Sequence, residues 1–107
     1  MVYIVVETIF PHGKATETGK KWLEVTKKFP PDRSVSKQVM VAIRPSSRGI
    51  ISLGAWEVKD GKEKEALVRM NESMLMFAEI PGCKYSIKTF LSSFEAMGIL
   101  GLKPPED

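Results

Sequence analysis

The sequence has few of the residues that most often carry covalent or metal chemistry. Its 107 residues include one cysteine, Cys83, and one histidine, His12. A single cysteine excludes an intrachain disulfide, and one cysteine with one histidine does not make a metal-ligand cluster. We therefore expect no metal site, no cofactor and a reducing, cytoplasmic compartment.

Long apolar runs are also missing. No stretch approaches the roughly 20 apolar residues that a membrane-spanning helix needs. The first ten residues, MVYIVVETIF, lack the basic lead-in and the small-residue cleavage site of a signal peptide, and they are better interpreted as a strand. Glycine-rich phosphate loops, nucleophile elbows and paired-carboxylate motifs do not occur. The sequence thus predicts no membrane partner and contains no familiar catalytic motif.

What is present is the composition of one folded domain with an uneven distribution of charge. Hydrophobic residues make up 43% of the chain, charged residues make up 27%, and the net charge is +3. Residues 1–48 carry nine basic and four acidic side chains, whereas residues 49–107 carry seven and nine. Such asymmetry can mark a polyanion site. Because Glu17 and Glu24 are interleaved with the lysines of the first predicted helix, we favour an ordinary solvated helix face.

The spacing of apolar residues predicts four strands and three helices. Alternating or β-branched runs predict strands over residues 2–9, 37–44, 50–58 and 83–90. Apolar residues three or four apart predict helices over residues 14–29 and between Asp60 and Pro81, with a short third helix near the C-terminus. Asp60 with Glu63, and Ser92 with Glu95, have the spacing of residue pairs that cap helix N-termini.

The predicted order of elements is β-α-β-β-α-β with a terminal helix. Two crossovers around a central hairpin give a four-stranded antiparallel sheet with both helices on one face, which is the ferredoxin-like layout of the α+β class. We predict a single domain over residues 1–102 and a flexible tail over residues 103–107.

The second face of such a sheet has no helix to cover it. In the third strand, if Ile51, Leu53 and Ala55 face the helices, the alternate residues face away, namely Ile50, Ser52, Gly54, Trp56 and Val58. Both central strands would then present apolar side chains on the uncovered face. A large apolar patch of this kind is typical of an interaction surface.

RNA is one candidate for that surface. RNA-recognition motifs share the topology and stack bases on aromatic side chains of the first and third strands. Arg48 and Gly49 match the start of the longer motif, but its stacking positions would be Ile50 and Ser52, which cannot stack a base. Nucleic acid is therefore not favoured as a partner.

A second copy of the chain is the other candidate. The passage Ala55-Trp56-Glu57, followed by charged residues and a helix that contains Ala66, resembles the strand-to-helix passage of dimeric α/β-barrel proteins, notably the antibiotic-biosynthesis monooxygenase-like group. The likeness covers the topology of residues 1–90. It implies a homodimer in which two sheets pack face to face as a closed barrel, with a small cavity between sheet and helices.

The resemblance also implies candidate catalytic residues. Members of the superfamily include cofactor-independent oxygenases, haem-degrading enzymes, small isomerases and proteins with no known reaction. The oxygenase group often has a histidine on the second helix, where this chain has Met70, Asn71 and Glu72. Asn71 and Trp56 match two members of the Asn/Trp/His set of haem-degrading relatives, but the third is missing, which speaks against haem degradation.

The first hypothesis is a small homodimeric α/β-barrel protein without an assigned reaction. Its predicted interface consists of Val5, Ile50, Ser52, Trp56 and Val58. Its predicted cavity holds a small apolar or aromatic ligand near Tyr3, Met40, Trp56 and Met74.

The second hypothesis is a cofactor-independent monooxygenase or isomerase. His12 would be its general base, because the reference pKa of histidine lies near 6.5, and Asn71 and Trp56 would position the substrate. The simpler interpretation of His12 is a surface loop residue. Cys83 lacks a neighbouring base in the sequence and is better interpreted as a small core residue than as a nucleophile.

Overall fold

A computed structural model describes residues 1–105 as four strands and three α-helices joined by short connections. In chain order these are β1 (Val2–Phe10), α1 (Ala15–Lys28), β2 (Ser36–Ser46), β3 (Gly49–Val58), α2 (Glu63–Leu75), β4 (Lys84–Leu91) and α3 (Ser93–Ile99). Single 3-10 turns precede α1 and follow α2. The strands form one antiparallel sheet in the order β2-β3-β1-β4. This α+β architecture is compatible with the predicted ferredoxin-like layout.

The core lies between one face of the sheet and both long helices. In β1 the even-numbered residues from Ile4 to Phe10 are buried, and Ile4 is the most enclosed of them at 1% exposure. Val25 of α1 and Met74 of α2 pack into the same buried cluster as Ile4 and Val6. Both helices therefore cover the same face of the sheet, because period-two alternation places Ile4 and Val6 on one side.

The register between the two central strands corrects the predicted faces of β3. Ile4 lies opposite Trp56, and Val6 lies opposite Gly54. Directly opposed residues share a face, so the helix-covered face includes Ile50, Ser52, Gly54, Trp56 and Val58. The prediction that these residues face away from the helices is wrong. Both sets of alternate residues in β3 are rich in apolar side chains, so alternation alone does not determine which set faces the helices.

The open face of the sheet, which neither α1 nor α2 covers, is apolar at its centre. From the strand registers, its apolar residues are Tyr3, Val5, Ile9, Met40, Ala42, Ile51, Leu53, Ala55 and Phe90. Charged side chains stand among and around them, with Glu7 on the central strand β1 and Lys84 and Lys88 on β4. The sequence expectation of an uncovered apolar face therefore holds, with a different set of β3 residues on it.

One of the two predicted helix caps forms. The backbone N–H of Glu95 donates to Oγ of Ser92 at 3.2 Å, as the cap of α3 predicts. Asp60 does not cap α2, which begins only at Glu63. Gly61 has a φ of 82°, and the N–H of Lys62 donates to the carbonyl oxygen of Lys59 at 2.9 Å. This turn occupies the place where the sequence predicted the first helical turn.

The C-terminal segment is apolar on its outside. Phe94, Ile99 and Leu100 are each about two-thirds exposed or more. Within the predicted tail, residues 103–105 have no regular secondary structure, and residues 106–107 lie outside the described residues. None of the helices between residues 1 and 105 is long and apolar enough to cross a membrane.

The burial of β1 gives a stability prediction. Replacing Ile4 with alanine should lower the free energy of unfolding by about 2–5 kcal/mol, because the site is sealed and the vacated space cannot refill. Ile43→Ala is the control, since Ile43 is 66% exposed, and should cost less than about 1 kcal/mol. Urea unfolding followed by circular dichroism at equal protein concentration measures both. Equal losses would contradict this placement of the core.

Candidate ligand-binding cavity

A cavity of about 440 Å³ lies between the sheet and the helices, on the side of β2 and β3. Its walls come from three strands, both long helices and the turn after α2. The sheet contributes Val6, Thr8, Phe10, Gln38, Val41, Ile43, Ile50, Ser52, Gly54 and Trp56. The helices contribute Ala15, Thr18, Gly19, Trp22, Val25, Met70, Ser73 and Met74, and the turn after α2 adds Phe77. A volume of this size is within the range of small-molecule sites.

Small residues on both layers contribute to the empty space. Gly19 of α1 and Ser52 of β3 both line the cavity. A Cβ added to Gly19 would meet no atom within 4 Å. The side chains of the helices and of the sheet therefore do not fill the space between them here, as they do around Ile4. At the open end, Trp22 and Ile43 are 52% and 66% exposed, so the cavity has an apolar mouth.

The indole of Trp56 forms part of the cavity wall because residue 54 is a glycine. A Cβ on Gly54 would lie 2.7 Å from Cη2 of Trp56 and 2.8 Å from Cζ3, closer than carbon atoms can approach. The ring therefore lies back along its own strand, over Gly54. Any side chain at position 54 would displace it.

The cavity is neutral as well as mostly apolar. Among the described residues that line it, none has an ionisable side chain. Several of its polar groups are engaged within their own helices: Oγ1 of Thr18 donates to the carbonyl oxygen of Lys14 at 2.8 Å, and Oγ of Ser73 donates to that of Met70 at 2.9 Å. Gln38 and Ser52 add amide and hydroxyl groups that can orient a ligand. The arrangement suits binding of an uncharged surface.

A second lobe of about 310 Å³ adjoins the cavity. Both lobes share Trp22, Val25, Gln38, Trp56, Met70 and Ser73. The second lobe continues past Trp56 to the end of α1, where Phe29 and Pro30 line it. It differs from the first lobe in having charged groups, Asp32 and Arg69.

Of the four predicted ligand-binding residues, two line the cavity. Trp56 and Met74 do, whereas Tyr3 and Met40 lie on the open face, opposite Glu57 and Ala55 respectively. The prediction that Tyr3 and Met40 lie near the cavity is wrong, because both are on the opposite face of the sheet. For Met40 the cause is an irregularity in β2 between Gln38 and Met40, which places Gln38 on the helix-covered face and Met40 on the other.

The two predicted catalytic residues do not meet in the cavity. His12 is exposed, and its Nε2 hydrogen-bonds with the carbonyl oxygen of Ser46 at 2.8 Å, which ties the start of α1 to the β2–β3 hairpin. Asn71 is also exposed, and its Nδ2 donates to the carbonyl oxygen of Leu67 at 2.8 Å. Neither side chain lines either lobe.

The predicted interface residues divide between the two faces. Val5 lies on the open face, opposite Ala55, where a second chain has access. Ile50, Ser52, Trp56 and Val58 lie under the helices, so the open face of β3 instead presents Ile51, Leu53, Ala55 and Glu57. The prediction that these four residues face a partner chain is therefore wrong, and their neighbours along the strand lie on the open face instead.

Cys83 packs beside the core, at its edge. Burial raises the pKa of its thiol above the ordinary value, because a thiolate loses hydration there. A nucleophile needs the opposite shift. Across residues 1–105, no group of three His, Cys, Asp or Glu side chains is close enough to hold a metal ion.

Comparison with known proteins adds little to this description. No protein-family model matches the sequence, and no curated protein matches it. Among solved structures, the chain is similar to a de novo designed protein, Foldit4. The TM-score is 0.49 at 12% sequence identity, and the similarity covers 85% of this chain and 96% of the designed one. The architecture given above therefore rests on the strand pairing of this chain alone.

Sequence analysis missed Gly54 and Trp22 as cavity residues. The signal for Gly54 was its place in a strand, where glycine often marks a close approach of another group. Trp22 falls within the first predicted helix, over residues 14–29, and it lies in α1 in the structure. No feature of the sequence indicated that the facing strand would leave space beside it.

The contact between Trp56 and Gly54 can be tested by fluorescence. In a Trp22→Phe background Trp56 is the only tryptophan, since the chain has two. Gly54→Ala should shift the emission of Trp56, because the added methyl group occupies the position of the ring. Gly19→Ala borders the same cavity without a contact within 4 Å and should leave the emission unchanged. An unaltered spectrum in Gly54→Ala would contradict the described ring position.

Proposed function

We propose that this protein binds a small apolar or aromatic molecule in the cavity between its sheet and α1. The observation that carries the proposal is a sizeable cavity walled by two tryptophans, two methionines and Phe77, with no ionisable lining residue among those described. Aromatic rings supply large apolar contact area, and methionines adapt to irregular ligand shapes.

The energetics of the cavity support a binding role. Transfer of apolar surface from water into such a site is favourable by about 25 cal/mol per Å². Unfilled apolar space lacks the dispersion contacts that a packed core provides. A ligand supplies these contacts without requiring the helices to move. Gln38 and Ser52 give such a ligand one or two polar anchor points.

The same observations favour binding over acid-base catalysis. A general base must come within hydrogen-bond reach of the proton that it removes. His12 is hydrogen-bonded to the hairpin and does not line the cavity, and the thiol of Cys83 is held protonated by burial. The monooxygenase or isomerase hypothesis is therefore left without its proposed base.

The binding proposal is tested by filling the cavity. Gly19→Leu should place a side chain in open space on α1 and weaken binding of decanol or naphthol at least about tenfold, a loss of 1.4 kcal/mol or more. Gly98→Leu is the control, because Gly98 is also helical and also faces open space, away from the cavity. Isothermal titration calorimetry measures both. Failure of the wild-type protein to bind any apolar probe would overturn the proposal.

We also propose that the open face of the sheet pairs with a second copy of the same chain. A two-fold interface is self-complementary, and this face has charges of both signs around an apolar centre. Glu7 lies directly opposite Ser86, between Lys84 and Lys88 in the β4 register. In a two-fold dimer both copies supply this carboxylate and these two lysines to the interface, so Glu7 has cations of the partner available for pairing when water is excluded.

RNA is a weaker candidate for this face. With the register corrected, the open face of β3 presents Ile51, Leu53, Ala55 and Glu57. None of these is aromatic, so the central strand still lacks a platform on which bases stack. Tyr3 and Phe90 oppose each other near one end of the face, away from the position that stacking on β3 requires.

Dimer formation can be measured by light scattering. The wild-type protein should have the mass of a dimer at micromolar concentration. Leu53→Asp should reduce it to a monomer, because it places a second carboxylate directly opposite Glu7 at the centre of the open face. Val68→Asp, on the exposed side of α2, should remain dimeric. A monomeric wild-type protein would contradict the proposal, and a dimeric Leu53→Asp variant would place the interface elsewhere.

A further inference from the structure

The two lobes of the cavity differ in charge although they share walls. The first lobe has no ionisable lining residue among those described, whereas Asp32 and Arg69 both line the second. The shared residues include Trp56 and Met70, so the same two side chains border both lobes. A molecule that fits this space has one apolar part and one part that suits a guanidinium group.

Arg69 is held in place before any ligand binds. Its Nη2 donates to the carbonyl oxygen of Pro30, and its guanidinium carbon lies 5.9 Å from the centroid of the Phe29 ring. A cation over an aromatic face is attracted to it. The arginine therefore loses little side-chain freedom on binding, which is one of the main costs of holding a charged group at a site.

The guanidinium group keeps donors available for a ligand. It carries five N–H donors in a planar fork, and within the described part of the chain its hydrogen-bond partner is the carbonyl oxygen of Pro30. The nearby carboxylate of Asp32 is turned to Ser34 instead, accepting from the backbone N–H at 3.0 Å and from the hydroxyl group. These bonds lower the pKa of Asp32, the hydroxyl contributing most, and the positive charge of Arg69 adds to the lowering. Asp32 and Arg69 form no ion pair in the described structure.

We infer that the ligand of this cavity carries a carboxylate group, which Arg69 binds in the second lobe while an apolar chain or ring fills the first. This inference rests on the proposed binding function and adds the chemical class of the ligand. An arginine fork matches the two oxygens of a carboxylate. Medium-chain fatty acids and aromatic carboxylic acids have this chemistry.

A matched pair of ligands separates the inference from the proposed function. Decanoate and decanol have the same chain length and differ in charge at neutral pH. Arg69→Met keeps apolar bulk at the site and removes the fork. We expect this variant to bind decanoate about tenfold more weakly or worse and decanol within about twofold of the wild type, because only the charge-assisted bonds are lost. Lys64→Met removes the same charge from an exposed position on α2 that lines neither lobe, and it should change neither affinity.

Each outcome has one meaning. If the wild-type protein binds decanol and Arg69→Met weakens both ligands equally or neither, the carboxylate inference is wrong and the binding proposal stands. If the wild-type protein binds neither ligand, both fail together. Should Arg69→Met not fold, the salt dependence of the wild-type protein decides. Added potassium chloride should weaken decanoate binding and leave decanol binding unchanged, and equal dependence for the two ligands would overturn the inference.

Discussion

The pairing of β1 with β3 determines which side chains meet the helices and which remain outside. Ile4 lies opposite Trp56, and this register assigns every other residue of the two central strands to a face. A slip of one residue would exchange both faces at once, because side chains alternate with a period of two. The sealed core, the cavity and the apolar open face are all consequences of the same register. The enclosure of Ile4 at 1% exposure makes the alternative registers costly.

The pattern of the sequence was sufficient for the elements and for their antiparallel order, because proline and glycine mark the breaks and apolar spacing distinguishes helix from strand. It was not sufficient to determine which residues of β3 face the helices. Ile50 and Ile51 are neighbours, and both sets of alternate residues in this strand are apolar. An irregularity in β2 moved Met40 to the other face, and local turn geometry at Gly61 displaced the predicted cap. In the cavity, Trp56 and Met74 were predicted. Arg69 was not, since its site is formed by the end of α1, which is remote in sequence.

At the cavity the helices and the sheet are not close-packed. Protein interiors are ordinarily close-packed, and each missing contact reduces stability. Here Gly19 and Ser52 leave space that larger residues at the same positions would fill. Ile4, Val35 and Val58 belong to the core and do not line the cavity, whereas Val6, Val25, Met74 and Phe77 belong to the core and also line the cavity. The helix-covered face therefore contains a sealed region and an open one that share part of their walls.

The irregularity of β2 limits the edge along which another strand could extend the sheet. β2 is an outer strand of the sheet, and Val39, Val41 and Ile43 are all about half exposed or more. Apolar outer strands of this kind recruit further strands and lead to fibrils. In β2, however, the ladder is interrupted between Gln38 and Met40, and Pro45 lacks an N–H to donate. Only a short regular stretch remains between them, so lateral addition of another chain along this edge has few hydrogen bonds to gain.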